Sequence, residues 1–222
     1  MNQPLAYTLI RSRRRTVALQ ITSEGQLLVR CPFSTSKATA DRFVADHQDW
    51  IVRHQKQLAD QPPKPVFTYT PGEELYYRGR SLTLAQQENI TKPLVEGDSF
   101  ILPASTTNPE ALTAAFFRQE AQALLPELTA RWAQKMGLFP TKIGITAAKS
   151  RWGSCSGRNA VNFSYRLVFL PPELMEYVVV HELAHIKHHN HSAAFHALVA
   201  QYLPDQQERR AQLRAWGRIL SL

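Results

Sequence analysis

A chain of 222 residues with 44% hydrophobic content can bury a substantial core, as one large domain or as one domain with an N-terminal appendage. Lysine and arginine number 26 against 18 acidic residues, a formal charge of +8, which points to an anionic partner: a nucleotide, a nucleic acid or an acidic peptide. Two isolated cysteines, Cys31 and Cys155, exclude a disulfide framework and a cysteine-rich zinc module; with no signal-peptide core and no apolar run of membrane-spanning length, a cytoplasmic protein that does not engage a membrane is expected.

In chain order, Tyr7 to Cys31 predicts two strands. Thr16 to Ile21 alternates, Ser23-Glu24-Gly25 turns, and Gln26 to Arg30 returns as the hairpin partner. The densest basic run, Arg11-Ser12-Arg13-Arg14-Arg15, lies ahead of the hairpin and reads equally as a phosphate-binding or nucleic-acid edge and as a solvated strand end. From Ser36, a plausible N-cap, one helix is expected to run to Ala59 with Phe43, Trp50, Ile51 and Leu58 on one side. Gln61-Pro62-Pro63-Lys64-Pro65 then reads as a linker. Phe67 to Leu102 predicts a small sheet, with a hairpin about Gly79 and a further strand at Phe100-Ile101-Leu102.

A second helix is expected from Asn108, which caps, and Pro109, whose missing N–H costs nothing in a first turn, to a stop at Gly137; Pro126 marks a kink or a break. Phe116, Phe117 and Trp132 are its core candidates. Lys142 to Ala148 alternates as a strand, 149–157 is too small and polar for core and reads as a loop, and Ala160 to Phe169 reads as a second strand with Arg166 in its interior. Pro171-Pro172-Glu173 opens the next helix. A strand edge facing that helix would line a cleft, so Lys149, Arg151 and Arg166 are candidates for contact with a substrate anion; Arg151 is also one for contact with an oxyanion, and Arg166 reads alternatively as a structural ion pair. Cys155 is read as structural.

Six of the eight histidines fall between positions 181 and 196. In a helix, His181 and His185 stand one turn apart on one face, where two imidazoles can hold one Zn²⁺ and leave positions for a third protein ligand and a water. Glu182 is placed to take a proton from that water, the arrangement of metal-assisted hydrolysis. Val178, Val179, Val180, Leu183 and Ala184 make the helix a buried one, and a buried histidine pair needs partners such as a metal. The third ligand is open between His191, close in sequence beyond a chain reversal at Asn190, and Glu208 on a later helix; proximity favours His191. The spacing to His191 matches the metzincin pattern, but His188 stands at that pattern's glycine and no methionine follows Met175 to make a methionine turn. His188, His189 and His196 are assigned to solvent or to supporting contacts.

Ser150-Arg151-Trp152-Gly153-Ser154-Cys155-Ser156, Tyr177 to His185 and Asn190-His191-Ser192 together resemble the YgjP-like metallopeptidase-domain family, relatives of the WLM and SprT-like zincins. Arg13-Arg14-Arg15-Thr16, Trp50-Ile51 and Pro204-Asp205 extend the resemblance over nearly the whole chain. It implies that His181, His185 and His191 are zinc ligands and Glu182 the general base, with another divalent transition metal able to stand in for zinc. It also implies a choice of activities, peptide hydrolysis or a nucleoside-triphosphate (UTP-type) pyrophosphatase. The chain departs from the family at His196, where an aromatic is usual, and at Phe163-Ser164-Tyr165, where Leu-Asn-Trp is usual; both bear on the cleft, not on the metal site.

The fold expected is therefore α+β: a zincin-like metallohydrolase core of helices with a small mixed sheet over 106–222, preceded by a β-rich region with one helix over 1–105. A zinc-dependent hydrolase of peptides or nucleotides is the leading expectation. A non-catalytic nucleic-acid-binding protein with a closed, four-ligand structural zinc is the less favoured one.

Overall fold

The computed structural model describes residues 5–22, 25–59 and 67–220, in two compact units that divide between Pro65 and Val66. Among the described residues there are six α-helices and three small sheets, an α+β fold. Among the described residues no helix is long and apolar enough to cross a membrane.

The first unit holds three strands where two were expected. β2 (Ala18–Ile21) and β3 (Leu27–Pro32) form the antiparallel hairpin, but β1 (Thr8–Ser12) adds to the other edge of β3 in parallel. That pairing is non-local, so no turn signal announces it. Ser23 and Glu24 of the expected turn lie outside the described residues, as does the linker 61–65. Arg11, from the basic run, donates from Nη2 to the Thr35 carbonyl. The single helix expected from Ser36 to Ala59 is two, α1 (Lys37–Asp46) and α2 (Gln48–Ala59), interrupted at His47. Ser36 caps α1, its hydroxyl accepting from Thr39 N, and Leu27, Val29, Ala40, Val44 and Ile51 make a separate small core.

The second unit begins with a four-stranded sheet ordered β4-β5-β7-β6, from β4 (Glu74–Tyr77), β5 (Arg80–Gln87), β6 (Leu94–Glu96) and β7 (Ser99–Pro103). Leu82 and Leu84 alternate inward on β5 and, with Phe100 and Leu102 of β7, join one core with the helices that follow. The boundary drawn after residue 105 thus falls inside a continuous core: a four-stranded sheet cannot bury its apolar face alone, and here helices cover it. The β4–β5 hairpin turns through Arg78 and Gly79, both at positive φ, and their N–H groups donate to the carbonyls of Val168 and Phe169. A Cβ on Gly79 would stand 2.8 Å from Pro171 Cγ, so only glycine lets the turn sit against the segment that enters the site helix.

α3 (Pro109–Met136) starts at Asn108, whose side chain accepts from Ala111 N, and ends at Gly137 in the left-handed conformation. Thr113, Phe117, Ala121, Leu125, Leu128, Trp132 and Met136 form its buried stripe. Phe116 is only partly buried beside it. The helix continues through Pro126. The carbonyl that Pro126 cannot serve belongs to Gln122, an exposed residue within reach of water, and the stripe on either side holds the two halves in line.

A second three-stranded sheet follows, ordered β8-β10-β9, from β8 (Lys142–Thr146), β9 (Gly153–Cys155) and β10 (Ala160–Ser164). The strand expected to reach Phe169 stops at Ser164, and Tyr165–Phe169 is a 3₁₀ helix. Ser164 caps it by accepting from Arg166 N. Arg166 is therefore not in a strand. α4 (Pro172–Lys187) is buried over most of its length and packs among α3, β9, α5 (Ala193–Tyr202) and α6 (Gln206–Ile219).

Candidate metal centre

α4 delivers His181 and His185 from adjacent turns with Glu182 beside them, and the segment 188–192, bent at His189 and Asn190, returns His191 to the same place. One ligand atom from each of the three imidazoles lies within 4.8 Å of the others, and the Nε2 atoms of His181 and His191 are 3.1 Å apart. The chain does bend through His189 and Asn190, but Asn190 has no left-handed backbone and does not end the helix. α4 ends instead at His188, whose extended backbone frees its carbonyl to accept from His185 Nδ1 at 2.9 Å. A carbonyl only accepts, so His185 carries its proton on Nδ1 and its lone pair on Nε2. The supporting role expected of His188 falls to its backbone, a hydrogen bond of the kind that orients metal-bound histidines.

Phe195, fully buried at the start of α5, lies under all three rings, with centroids 4.9 Å from His181, 4.5 Å from His185 and 5.0 Å from His191. Ser192 sets that turn by accepting from Phe195 N. Burial, helped by the neighbouring imidazoles, pulls His181 down to about pH 3 and lowers His185, so both rings are neutral. Neutral imidazoles with converging lone pairs are the donor set a divalent cation needs, and the residues present fit such an ion. Among the described residues Glu208 does not join them: it is exposed on α6 and accepts from Gln212 Nε2.

Glu182 is 6% exposed and burial pushes its carboxyl up to about 7. β9 crosses directly over it. A Cβ on Gly153 would stand 2.7 Å from Glu182 Cγ and 2.8 Å from Oε1, so the absence of a side chain at 153 is what lets the carboxylate lie there. Cys155, partly buried on the same strand, is held protonated by burial, with the negative charge of Glu182 adding to the effect.

His181 and Glu182 open onto a cavity of about 450 Å³ walled by Trp152, Tyr177, Val178 and Leu213. Of the three cations expected at a cleft, Arg151 lines this cavity, while Lys149 is an exposed loop residue outside its lining. Arg166 lies elsewhere: its guanidinium rests 4.9 Å from the Tyr165 ring and donates to the carbonyls of Ala147 and Ala148. Ser164 Oγ also donates to Ala148 O and Ser164 N to Trp152 O, so Arg166 and Ser164 secure the loop that carries Arg151. Three cavity cations had no part in the expected site: Arg210, Arg214 and Arg218, all on α6. Their four-residue spacing was a visible signal, but it is also that of a solvated helix face.

A buried helix presenting two imidazoles and a carboxylate to a third imidazole, within an α+β fold, defines a protein of the metal-dependent hydrolase class. The YgjP-like, metallopeptidase domain family matches residues 15–215, and the chain belongs to that family. Among solved structures, the metallopeptidase zymogen abylysin of Pyrococcus abyssi is similar at 23% identity over 41% of this chain and 93% of that one, with a TM-score of 0.39. The metallopeptidase zymogen jannalysin of Methanocaldococcus jannaschii is similar at 19% identity over 41% and 94%, with a TM-score of 0.38. No curated protein matches the chain significantly.

Proposed function

We propose that the protein is a cytoplasmic zinc-dependent hydrolase that cleaves peptide bonds, with His181, His185 and His191 holding the metal and Glu182 as general base. The observation that carries this reading is the convergence of three imidazoles beside a buried carboxylate on the wall of a cavity. The three-member cluster among the described residues also favours an open position over the four-ligand site of a structural zinc. When bound, the metal would polarise the carbonyl under attack and acidify a water.

The chain's own residues do the rest. Glu182, buried beside the three imidazoles and open to the cavity, is placed to take a proton from the attacking water and return it to the leaving amine. Arg151 places positive charge in the cavity, where negative charge develops in the transition state. Phe195 and the His188 carbonyl keep the rings in place. A second reading, pyrophosphate release from nucleoside triphosphates, gains from the arginines of the same cavity. The two are separated by incubating the zinc-loaded protein with a mixed peptide library and with each nucleoside triphosphate. Peptide cleavage that a chelator stops and zinc restores is expected; pyrophosphate release with intact peptides would replace this reading with the second.

Gly153→Ala tests the seat of the general base. The new Cβ displaces the Glu182 carboxylate, and a displacement of about 1 Å suffices to cost roughly 10²-fold in turnover. Zinc content, measured by elemental analysis, should stay at the wild-type level. A variant with full turnover would show that Glu182 need not occupy its present position.

A further inference from the structure

The cavity's cations are unbalanced. Arg210, Arg214 and Arg218 line it from α6, Arg151 from the loop before β9, and the acid that shares the lining is Glu182. The remaining acids nearby are otherwise engaged. Asp205 pairs with Arg209, which also lies 3.9 Å from Glu176 and donates to the Glu173 carbonyl, and Glu208 accepts from Gln212. Arg210 and Arg214 also line a second cavity, with His196 and Gln206, so the arginine face continues past the metal centre.

The spacing suits one kind of anion. Residues four apart on an α-helix rise about 6 Å. Alternate side chains of an extended peptide point to one side and repeat at about 6.6 Å. A peptide drawn out along α6 with carboxylates at alternate positions therefore meets one guanidinium per carboxylate, while the uncharged residues between face the apolar wall of Trp152 and Leu213 or solvent. A triphosphate packs its charges more closely and is too short to serve the whole row.

We propose that Arg210, Arg214 and Arg218 select the substrate, and that they bind an extended acidic peptide whose acidic residues alternate with neutral ones. The assignment rests on reading this cleft as the hydrolase's own. The arginines are specificity residues and take no part in bond cleavage.

The test measures binding, so that it does not depend on turnover. Zinc-loaded Glu182→Gln protein is titrated by fluorescence anisotropy with labelled Asp-Ala-Asp-Ala-Asp, with its Asn-Ala-Asn-Ala-Asn counterpart and, as competitor, with inorganic tripolyphosphate. The acidic peptide should bind at least about tenfold tighter than the neutral one, and more weakly as salt rises. Arg214→Gln should weaken it about threefold, and Arg210→Gln with Arg214→Gln about tenfold. Arg214→Glu should weaken it more than Arg214→Gln does, because a like charge then faces one carboxylate of the peptide. These are exposed positions, so the variants are expected to melt with the wild type. Equal affinity for acidic and neutral peptides, or binding indifferent to the α6 substitutions, overturns the proposal. So does tripolyphosphate binding that needs the arginines and outcompetes every peptide, which would make the row a phosphate site. A wild-type protein that binds the acidic peptide through α6 but hydrolyses nothing would sink the hydrolase reading and leave this binding site standing.

Discussion

Glu182→Gln should abolish turnover while leaving zinc bound at one ion per chain. Glutamine keeps the shape and the burial of Glu182 but cannot accept a proton, and general base catalysis by a positioned side chain is worth about 10² to 10⁴ in rate. Among the described residues Glu182 makes no ion pair, so the fold loses none with the substitution. Single-turnover rates and elemental analysis of the same preparation check both halves. A variant with wild-type rate would refute Glu182 as the base. A variant that lost zinc would show that the carboxylate helps to hold the ion.

His185→Ala should remove the metal itself. The imidazole it deletes is the one whose lone pair is fixed by the His188 carbonyl and whose ring stacks on Phe195. Loss of a supporting hydrogen bond to a ligand costs about 10- to 100-fold in metal affinity, and loss of the ligand should exceed that. Zinc after gel filtration should fall from one per chain to near zero, turnover should vanish with it, and the melting temperature should drop to that of chelator-treated wild type, because an ion that binds only the folded state stabilises it by mass action. Stoichiometric zinc in His185→Ala would place the metal elsewhere.

Much of the candidate centre was legible because its chemistry is local. His181 and His185 one helical turn apart, within a helix apolar enough to be buried, identify two donors and their burial together. The caps at Ser36 and Asn108 and the left-handed stop at Gly137 were legible for the same reason, since each is a hydrogen bond or a backbone angle set within four residues. Tyr165–Phe169 shows where local reading fails. The run Tyr-Arg-Leu-Val-Phe has strand composition, yet it forms a 3₁₀ helix because Ser164 caps it and the Arg78 and Gly79 amides, ninety positions away, bind two of its carbonyls. Arg166 then serves the Ala147 and Ala148 carbonyls instead of a substrate.

The sequence by itself determined one candidate pair, His181 and His185, with the carboxylate beside them and the helix that carries them inward; that His191 and not Glu208 stands with that pair came from the structure. Only the tertiary structure decided their surroundings. Phe195 beneath the rings, Gly153 above the carboxylate and the arginines of α6 across the cavity reach the centre from separate elements of the chain. Spacing along one helix is fixed by the geometry of its own turns, whereas contacts between elements exist only once a common core has closed around them.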